Sequence, residues 1–346
     1  MIFYVRDRKT FKLKAIVEGA SWKLVQSVWT DLSEMVTTNN ERVESGDIIY
    51  TIDGWQGIIT DIERDKKTMQ MKCQKIDYLL GRKTAYEGMG SVQPCEWTLN
   101  YLIRTNYMEQ SSWTEENFPF SDPWYVIPYL NLNRVTTEAS AQIPITERGQ
   151  YKVSSYIAQC RRLANVFTYF DIDQANDTLT ARIQHENRST KTLITTGMPV
   201  EVTQESFTSE ELISKVTTYN FTDGYPPLYT NIQQWYLMTN GTITNNRSGG
   251  TWKEGAWALQ ECNEEDDAKT RAVNTIRTSQ RSSHKIIVRV PLKDARFEFY
   301  DPVKVELHGH MYESYVSRKT ISSDGYVEYT FGDLQTSLTD KINELD

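Results

Sequence analysis

Asp47-Ile48-Ile49-Tyr50-Thr51-Ile52-Asp53-Gly54 has a counterpart near the other end of the chain, Asp301-Pro302-Val303-Lys304-Val305-Glu306-Leu307-His308-Gly309. In both, an aspartate leads into a β-branched run and a glycine closes it, the pattern of a strand meeting a turn. A second strand then ends in a charged turn, residues 58–64 in one copy and 313–319 in the other. Alternation follows, Met69-Gln70-Met71-Lys72-Cys73 against Val327-Glu328-Tyr329-Thr330-Phe331, and each copy reaches a leucine-bearing stretch, residues 77–80 or 333–338. Any β-meander reads strand–turn–strand, so two unrelated meanders are the alternative. The shared order of features favours an internal duplication. A chain with two copies of one small barrel, assembled as a cyclic trimer, presents six near-equivalent barrels around one axis and so adapts three-fold to six-fold symmetry.

Working outward, the predicted fold class is α+β, β-rich and multi-domain. It has two similar small β-barrel domains, a helix-containing domain between them and an inserted α+β segment. Residues 1–86 form the first barrel, with strands over 11–17 and 22–29 parted at Glu18-Gly19-Ala20, then over 48–52 and 58–62, then through Met69, Met71 and Cys73. Residues 87–190 carry two helices. Pro94 opens the first, with Trp97, Tyr101 and Leu102 on one face. The second places Val153, Ile157, Cys160, Leu163, Ala164, Phe167 and Phe170 at helical spacing, with Ser154 or Ser155 as N-cap. It leads into a hairpin around Asn176-Asp177, and residues 111–149 read as a long irregular connection. Residues 191–220 plus 284–346 form the second barrel. Residues 221–283 form the inserted domain, with a hairpin over 236–244 whose Asn240-Gly241 suits a type I′ turn. A helix from about Asn263 has Glu264, Glu265, Asp266 and Asp267 in its first turn, where the macrodipole favours them.

Composition narrows the function classes. The net charge of −8, with no basic run, excludes a sequence-independent nucleic-acid binder, which needs clustered Lys and Arg; DNA would pass such a surface without sticking. Four separated cysteines, Cys73, Cys95, Cys160 and Cys262, read as reduced buried thiols of a protein assembled in a cytoplasm. The opening residues turn charged within the first six, unlike a signal-peptide core, and no stretch approaches the roughly 20 apolar residues of a membrane anchor.

Chemistry has little foothold. No phosphate-cradling glycine loop, nucleophile elbow or H-E-x-x-H occurs, so no catalytic residue and no cofactor is assigned. His308 and His310 on one strand face are the weak zinc candidates, strand-exposed side chains being the plainer reading. Asp171 and Asp173 lack a calcium loop. Trp235, Trp252 and Trp257 in the insertion suit either sugar stacking or, the reading preferred here, a small core or subunit contact.

The run Gly46-Asp47-Ile48-Ile49, then Gly57-Ile58-Ile59-Thr60-Asp61-Ile62-Glu63, then Asp77-Tyr78-Leu79-Leu80-Gly81-Arg82-Lys83, resembles the opening domain of tail hub proteins from siphophages of Gram-positive bacteria. Residues 324–333 look like their closing strand, and residues 235–244 are also similar to the family; in size the chain is similar to Listeria-type prophage tail proteins. The resemblance covers most of the chain and lies in the order of diffuse motifs. It implies a non-enzymatic homotrimer at the virion tail tip, assembled in the bacterial host cytoplasm. Its implied partners are the hexameric distal tail protein and tail tube, the tape-measure protein, and a lower baseplate or receptor-binding protein, with DNA passing through the channel. Many relatives continue into a fibrous or wall-cleaving region; this chain ends at Asp346, so lytic or receptor-binding work is expected of another protein. The rival readings are a carbohydrate-binding receptor module built on the tryptophans and a cell-wall hydrolase.

Overall fold

The computed structural model describes residues 1–28, 31–81, 84–85, 94–108, 126–134, 151–186, 188–195, 200–208, 212–222, 228–262 and 268–332. The chain divides into two compact units, Met1–Val25 with Asp31–Asn187 and Gln26–Thr30 with Arg188–Asp346.

The first unit opens with β1 (Ile2–Arg6), β2 (Leu13–Ser27), β3 (Ser33–Thr38), β4 (Ile48–Tyr50), β5 (Gln56–Arg64) and β6 (Thr68–Lys75). They pair in the order β1-β4-β5-β6-β3-β2, and antiparallel pairing of β1 with β2 closes them into a six-stranded barrel. Alternation along β6 sends Met69, Met71 and Cys73 inward. The turn expected at Glu18-Gly19-Ala20 is instead the middle of one 15-residue strand, with a register irregularity between Gly19 and Ser21. A Cβ on Gly19 would lie 2.6 Å from the ring of buried Phe3, so this glycine admits an aromatic ring rather than turning the chain.

A 3-10 turn over Ile76–Gly81 precedes the two-residue strand β7 (Thr84–Ala85), α1 (Cys95–Ile103), β8 (Leu130–Arg134), β9 (Tyr151–Lys152, paired with β7), α2 (Val153–Ala164), β10 (Val166–Asp173) and β11 (Thr178–His185). Pro94 precedes α1 as expected, but Trp97 is exposed, and the buried apolar residues are Cys95, Leu99, Leu102 and Ile103. The second helix stops at Ala164 because Asn165 takes a left-handed conformation (φ 52°), so Phe167 and Phe170 belong to β10. Lys152, not a serine, occupies the N-cap, and Ser154 lies inside the helix against Gly81. Of the expected irregular connection, residues 111–125 and 135–149 lie outside the described residues. Within it, β8 pairs parallel to β11 and extends the β10–β11 hairpin to three strands. Leu99, Ile157 and Leu179 share one apolar core with Phe11, Ile48 and Ile58 of the barrel. Each such side chain contributes about 1.5–3 kcal/mol on burial.

The second unit holds β12 (Lys191–Ile194), β13 (Glu201–Phe207), β14 (Ile213–Thr222), β15 (Leu228–Leu237), β16 (Ile243–Thr244), β17 (Ala256–Glu261), α3 (Ala268–Ser282), β18 (His284–Pro291), β19 (Pro302–Leu307), β20 (His310–Ser322) and β21 (Tyr326–Phe331). Six of these pair as β12-β19-β20-β21-β18-β13. Counted by rank along the chain, that is the same 1-4-5-6-3-2 order as the first barrel. One direction differs: β1 is antiparallel to β4, whereas β12 is parallel to β19. Between the second and third strands of this copy lies a separate sheet, β16-β15-β14-β17, packed on α3 through Val216, Trp235, Leu237, Ala272 and Ile276. Residues 213–220, read from the sequence with the second barrel, therefore pair within the insertion, because β14 hydrogen-bonds to β15 and β17. The hairpin over 236–244 forms, but Gly241 alone of its two turn residues has positive φ (82°), and its N–H donates to the Met238 carbonyl at 2.9 Å. That is a left-handed glycine after a tight turn, not type I′. The acidic residues expected to start the helix before Ala268 lie outside the described residues.

Candidate functional site

The two barrel-type modules meet their fourth strands through the same turn. Asp47 is fully buried and its Oδ2 accepts the Glu44 N–H at 2.8 Å and lies 3.0 Å from Lys14 Nζ. Asp301, also buried, accepts the Glu298 N–H at 2.7 Å and lies 2.5 Å from Lys191 Nζ, with Arg188 at 3.2 Å. The residue before each aspartate has positive φ, 94° at Gly46 and 69° at Tyr300. The carbonyl of each then accepts from the facing strand at 3.0 Å, Ile59 N–H in one copy and Val316 N–H in the other. The next strands share a bulge, between Ile59 and Asp61 and between Val316 and Arg318. At the bulge Thr60 Oγ1 donates to the Lys72 carbonyl and Ser317 Oγ to the Thr330 carbonyl, each at 3.1 Å. This equivalence corrects one register: Ile59 matches Val316, so residues 58–64 align with 315–321 rather than with 313–319.

The tryptophans separate. Trp235 fills the insertion core, while Trp252 and the exposed Trp257 (67%) meet on the other face with ring centroids 6.1 Å apart. Sequence reading missed three neighbours of this pair. Tyr236 packs edge-on to Trp252 at 5.5 Å, Lys215 Nζ lies 4.2 Å from the Trp257 ring centre, and Arg247 lies 5.9 Å from that of Trp252. Alternation along β14 and β15 places Lys215 and Tyr236 opposite each other, but only the register pairs them.

The histidine pair does not share a strand face. His308 and Gly309 both have positive φ (53° and 77°), forming a two-residue turn between β19 and β20, and His310 starts the next strand. His308 Nε2 lies 3.1 Å from Glu205 Oε2. Asp171 pairs with Arg182 at 2.9 Å, and Asp173 accepts the turn N–H groups of Ala175 and Asn176. Among the described residues no group of three or more His, Cys, Asp and Glu side chains is placed to hold a metal ion.

No protein-family model matches the chain. No curated protein matches it. Solved structures do. Prophage tail protein gp18 from Listeria monocytogenes superposes with a TM-score of 0.60 at 12% identity, covering 100% of this chain and 98% of that one. A tail protein from Neisseria meningitidis gives 0.52 at 12% identity over 96% of each chain. The 43 kDa tail protein of prophage MuSo2 from Shewanella oneidensis gives 0.51 at 12% identity, covering 96% and 98%.

The chain has the prophage tail-protein fold.

In this tail-protein fold several large apolar side chains are exposed on strands. Ile2, Leu13 and Ile16 are exposed on β1 and β2 of the barrel. On the insertion, Phe221 of β14 and Leu228, Tyr229 and Ile232 of β15 are exposed, and β15 presents seven consecutive exposed residues before its buried end.

Proposed function

We propose that the chain is a structural hub of a phage or phage-like tail tip that assembles as a trimer, so that its two equivalent modules form a ring of six. The observation that carries this reading is the repeated 1-4-5-6-3-2 strand order with the same aspartate turn. Three copies of two near-equivalent units meet a six-fold tube on one side and a three-fold tip on the other. The tail-protein fold supports the setting. In that place the neighbours are a distal tail protein, the tail tube, the tape-measure protein and a lower baseplate protein, and the role is mechanical rather than catalytic. The net charge of −8 suits a channel through which DNA slides. Sedimentation and electron microscopy of the full chain, alone and with its distal tail protein, test it. Trimers with six lobes are expected, and two-fold particles, or a chain that stays monomeric with that partner, overturn it.

A second reading has its own observation, the exposed Trp257 against the half-buried Trp252, with Lys215 and Arg247 beside them. Flat indole faces at a surface suit sugar rings. If this is a wall-recognition site, Trp257→Ala abolishes sedimentation of the chain with purified wall polysaccharide without altering its melting temperature.

A further inference from the structure

The first module closes because β1 runs antiparallel to β2; the second cannot close in that way. There β12 is parallel to β19, and successive antiparallel pairings through β20, β21 and β18 return β13 to the same direction. So β12 and β13 run parallel. Parallel neighbours need a crossover of roughly a dozen residues or more, and only residues 195–200 separate Ile194 from Glu201. β13 therefore ends its sheet, paired with β18 and, among the described residues, with no strand on its outer side. Gln204 and Glu205 point to opposite faces and are both exposed, so the strand lacks cover on its faces as well as a partner on its edge.

The second unit itself receives a strand end of this kind. It includes a segment that its own module does not supply, Gln26–Thr30, in which β2 ends. β20 pairs with β19 over residues 310–315, and the same edge further on takes this segment, Val28 N–H donating to the Ser317 carbonyl at 2.9 Å. β2 is the second strand of its module and β20 the fifth of its own. With the modules exchanged, the corresponding pair is β13 and β5. β5 offers an edge of the same form: it pairs with β4 over residues 56–58, and past the bulge Asp61, Glu63 and Arg64 are exposed. Thr60, the counterpart of Ser317, has a carbonyl that accepts Ser45 Oγ at 2.7 Å and keeps a second lone pair. One chain holds only two modules, so the same step taken from the second module needs the first module of another copy. We propose that the end of β13 adds to the β5 edge of a second copy of this chain, a backbone N–H just past β13 donating to the Thr60 carbonyl. The contact rests on the hub reading and gives it a joint: unlike surfaces meet head to tail, and the ring closes after three copies. Glu205 on one side and Asp61 and Glu63 on the other are like charges at this joint, so added salt strengthens it.

The test places cysteines on both sides of the joint in the full chain, Asp61→Cys and Thr208→Cys, singly and together, and adds a short bismaleimide. The four native cysteines are buried and stay out of the reaction. Sedimentation of the untreated variants, alone and with the distal tail protein, is read beside the cross-linking. The double variant gives covalent trimers, neither single variant links to itself, and an assembled mixture of the two single variants gives linked pairs. If Thr208→Cys lowers the melting temperature, Glu205→Cys, exposed on the same strand, takes its place. Trimers that form but do not cross-link in the double variant overturn this contact and leave the hub reading standing. Self-linking of Thr208→Cys alone shows a two-fold contact and overturns the proposal too. A chain that never trimerises overturns both.

Discussion

The Arg6 guanidinium on β1 lies 2.6 Å from the carboxylate of Asp177, in the β10–β11 turn 171 residues further along the chain. Arg6 is almost wholly buried; it also donates to the Phe11 carbonyl at 2.7 Å and faces the Phe11 ring at 5.0 Å. Two more bonds cross the same junction, from Gln56 Nε2 to the Phe170 carbonyl at 2.6 Å and from Tyr129 OH to the Arg8 carbonyl at 3.0 Å. The first barrel and the three-stranded sheet are thereby fastened through polar groups as well as through their common core.

Removing Asp177 strands a buried cation, whereas removing Arg6 leaves a carboxylate that water reaches. Asp177→Ala is therefore expected to cost about 2–4 kcal/mol, and Arg6→Met less. The double variant should be more stable than the sum of the single losses implies. Urea unfolding in a double-mutant cycle measures the coupling.

The twin turns give a paired prediction. Asp47→Asn and Asp301→Asn each remove a buried charge partner and should each cost about 1–3 kcal/mol. The second should cost more. Asp47 pairs with one cation, Lys14, which also meets Glu44 at 3.0 Å, while Asp301 pairs with two, Arg188 and Lys191. Equal losses would show that these cations are satisfied by solvent.

His284 sets a pH dependence. Burial, the main cause, lowers its pKa to about 4, so the folded chain keeps it neutral while the unfolded chain binds a proton near pH 6.5. Its contribution is complete above pH 6.5 and falls away as pH drops towards 4, up to about 3 kcal/mol in total. Melting temperature against pH should slope through this window, and the slope should flatten in His284→Gln.

All four cysteines are buried, and desolvation raises the Cys73 and Cys160 thiols far above the ordinary range. Thiolate is the reacting form, so an aromatic disulfide reagent at pH 8 should leave the folded chain unlabelled and label all four thiols in denaturant. Rapid labelling of folded protein would contradict the packing of α1 on α2.

The tryptophans predict opposite outcomes on one insertion. Trp235→Ala hollows its core and should cost about 3–5 kcal/mol. Trp257→Ala touches solvent and should stay within about 1 kcal/mol. Thermal unfolding of the two variants separates the structural indole from the available one.

Much of the architecture was legible because it is local. Alternation in Met69-Gln70-Met71-Lys72-Cys73 and Val327-Glu328-Tyr329-Thr330-Phe331 reports which side chains face a core without reference to a partner strand, and both stretches are β6 and β21 as read. The helix around Ile157 was legible for the same reason, whereas the one after Pro94 was read with Trp97 on its inner face, where the structure buries Leu99 instead. The misreadings fell where one residue type serves two purposes. Gly19 was taken for a turn but makes room for Phe3, and Phe167 continued a helical spacing that Asn165 had already ended.

The residues alone determined that the chain is β-rich, built of strand modules with helices between them, because inward and outward faces follow from a period of two or 3.6; that one strand order occurs twice came from the structure. Only the tertiary structure decided that β1 closes on β2, that Arg6 finds Asp177, that Trp252 meets Trp257, and that β13 is left at the edge of its sheet. Some join residues far apart in the chain, as Arg6 and Asp177 do. All of these relations depend on strand register and packing, which no local pattern encodes.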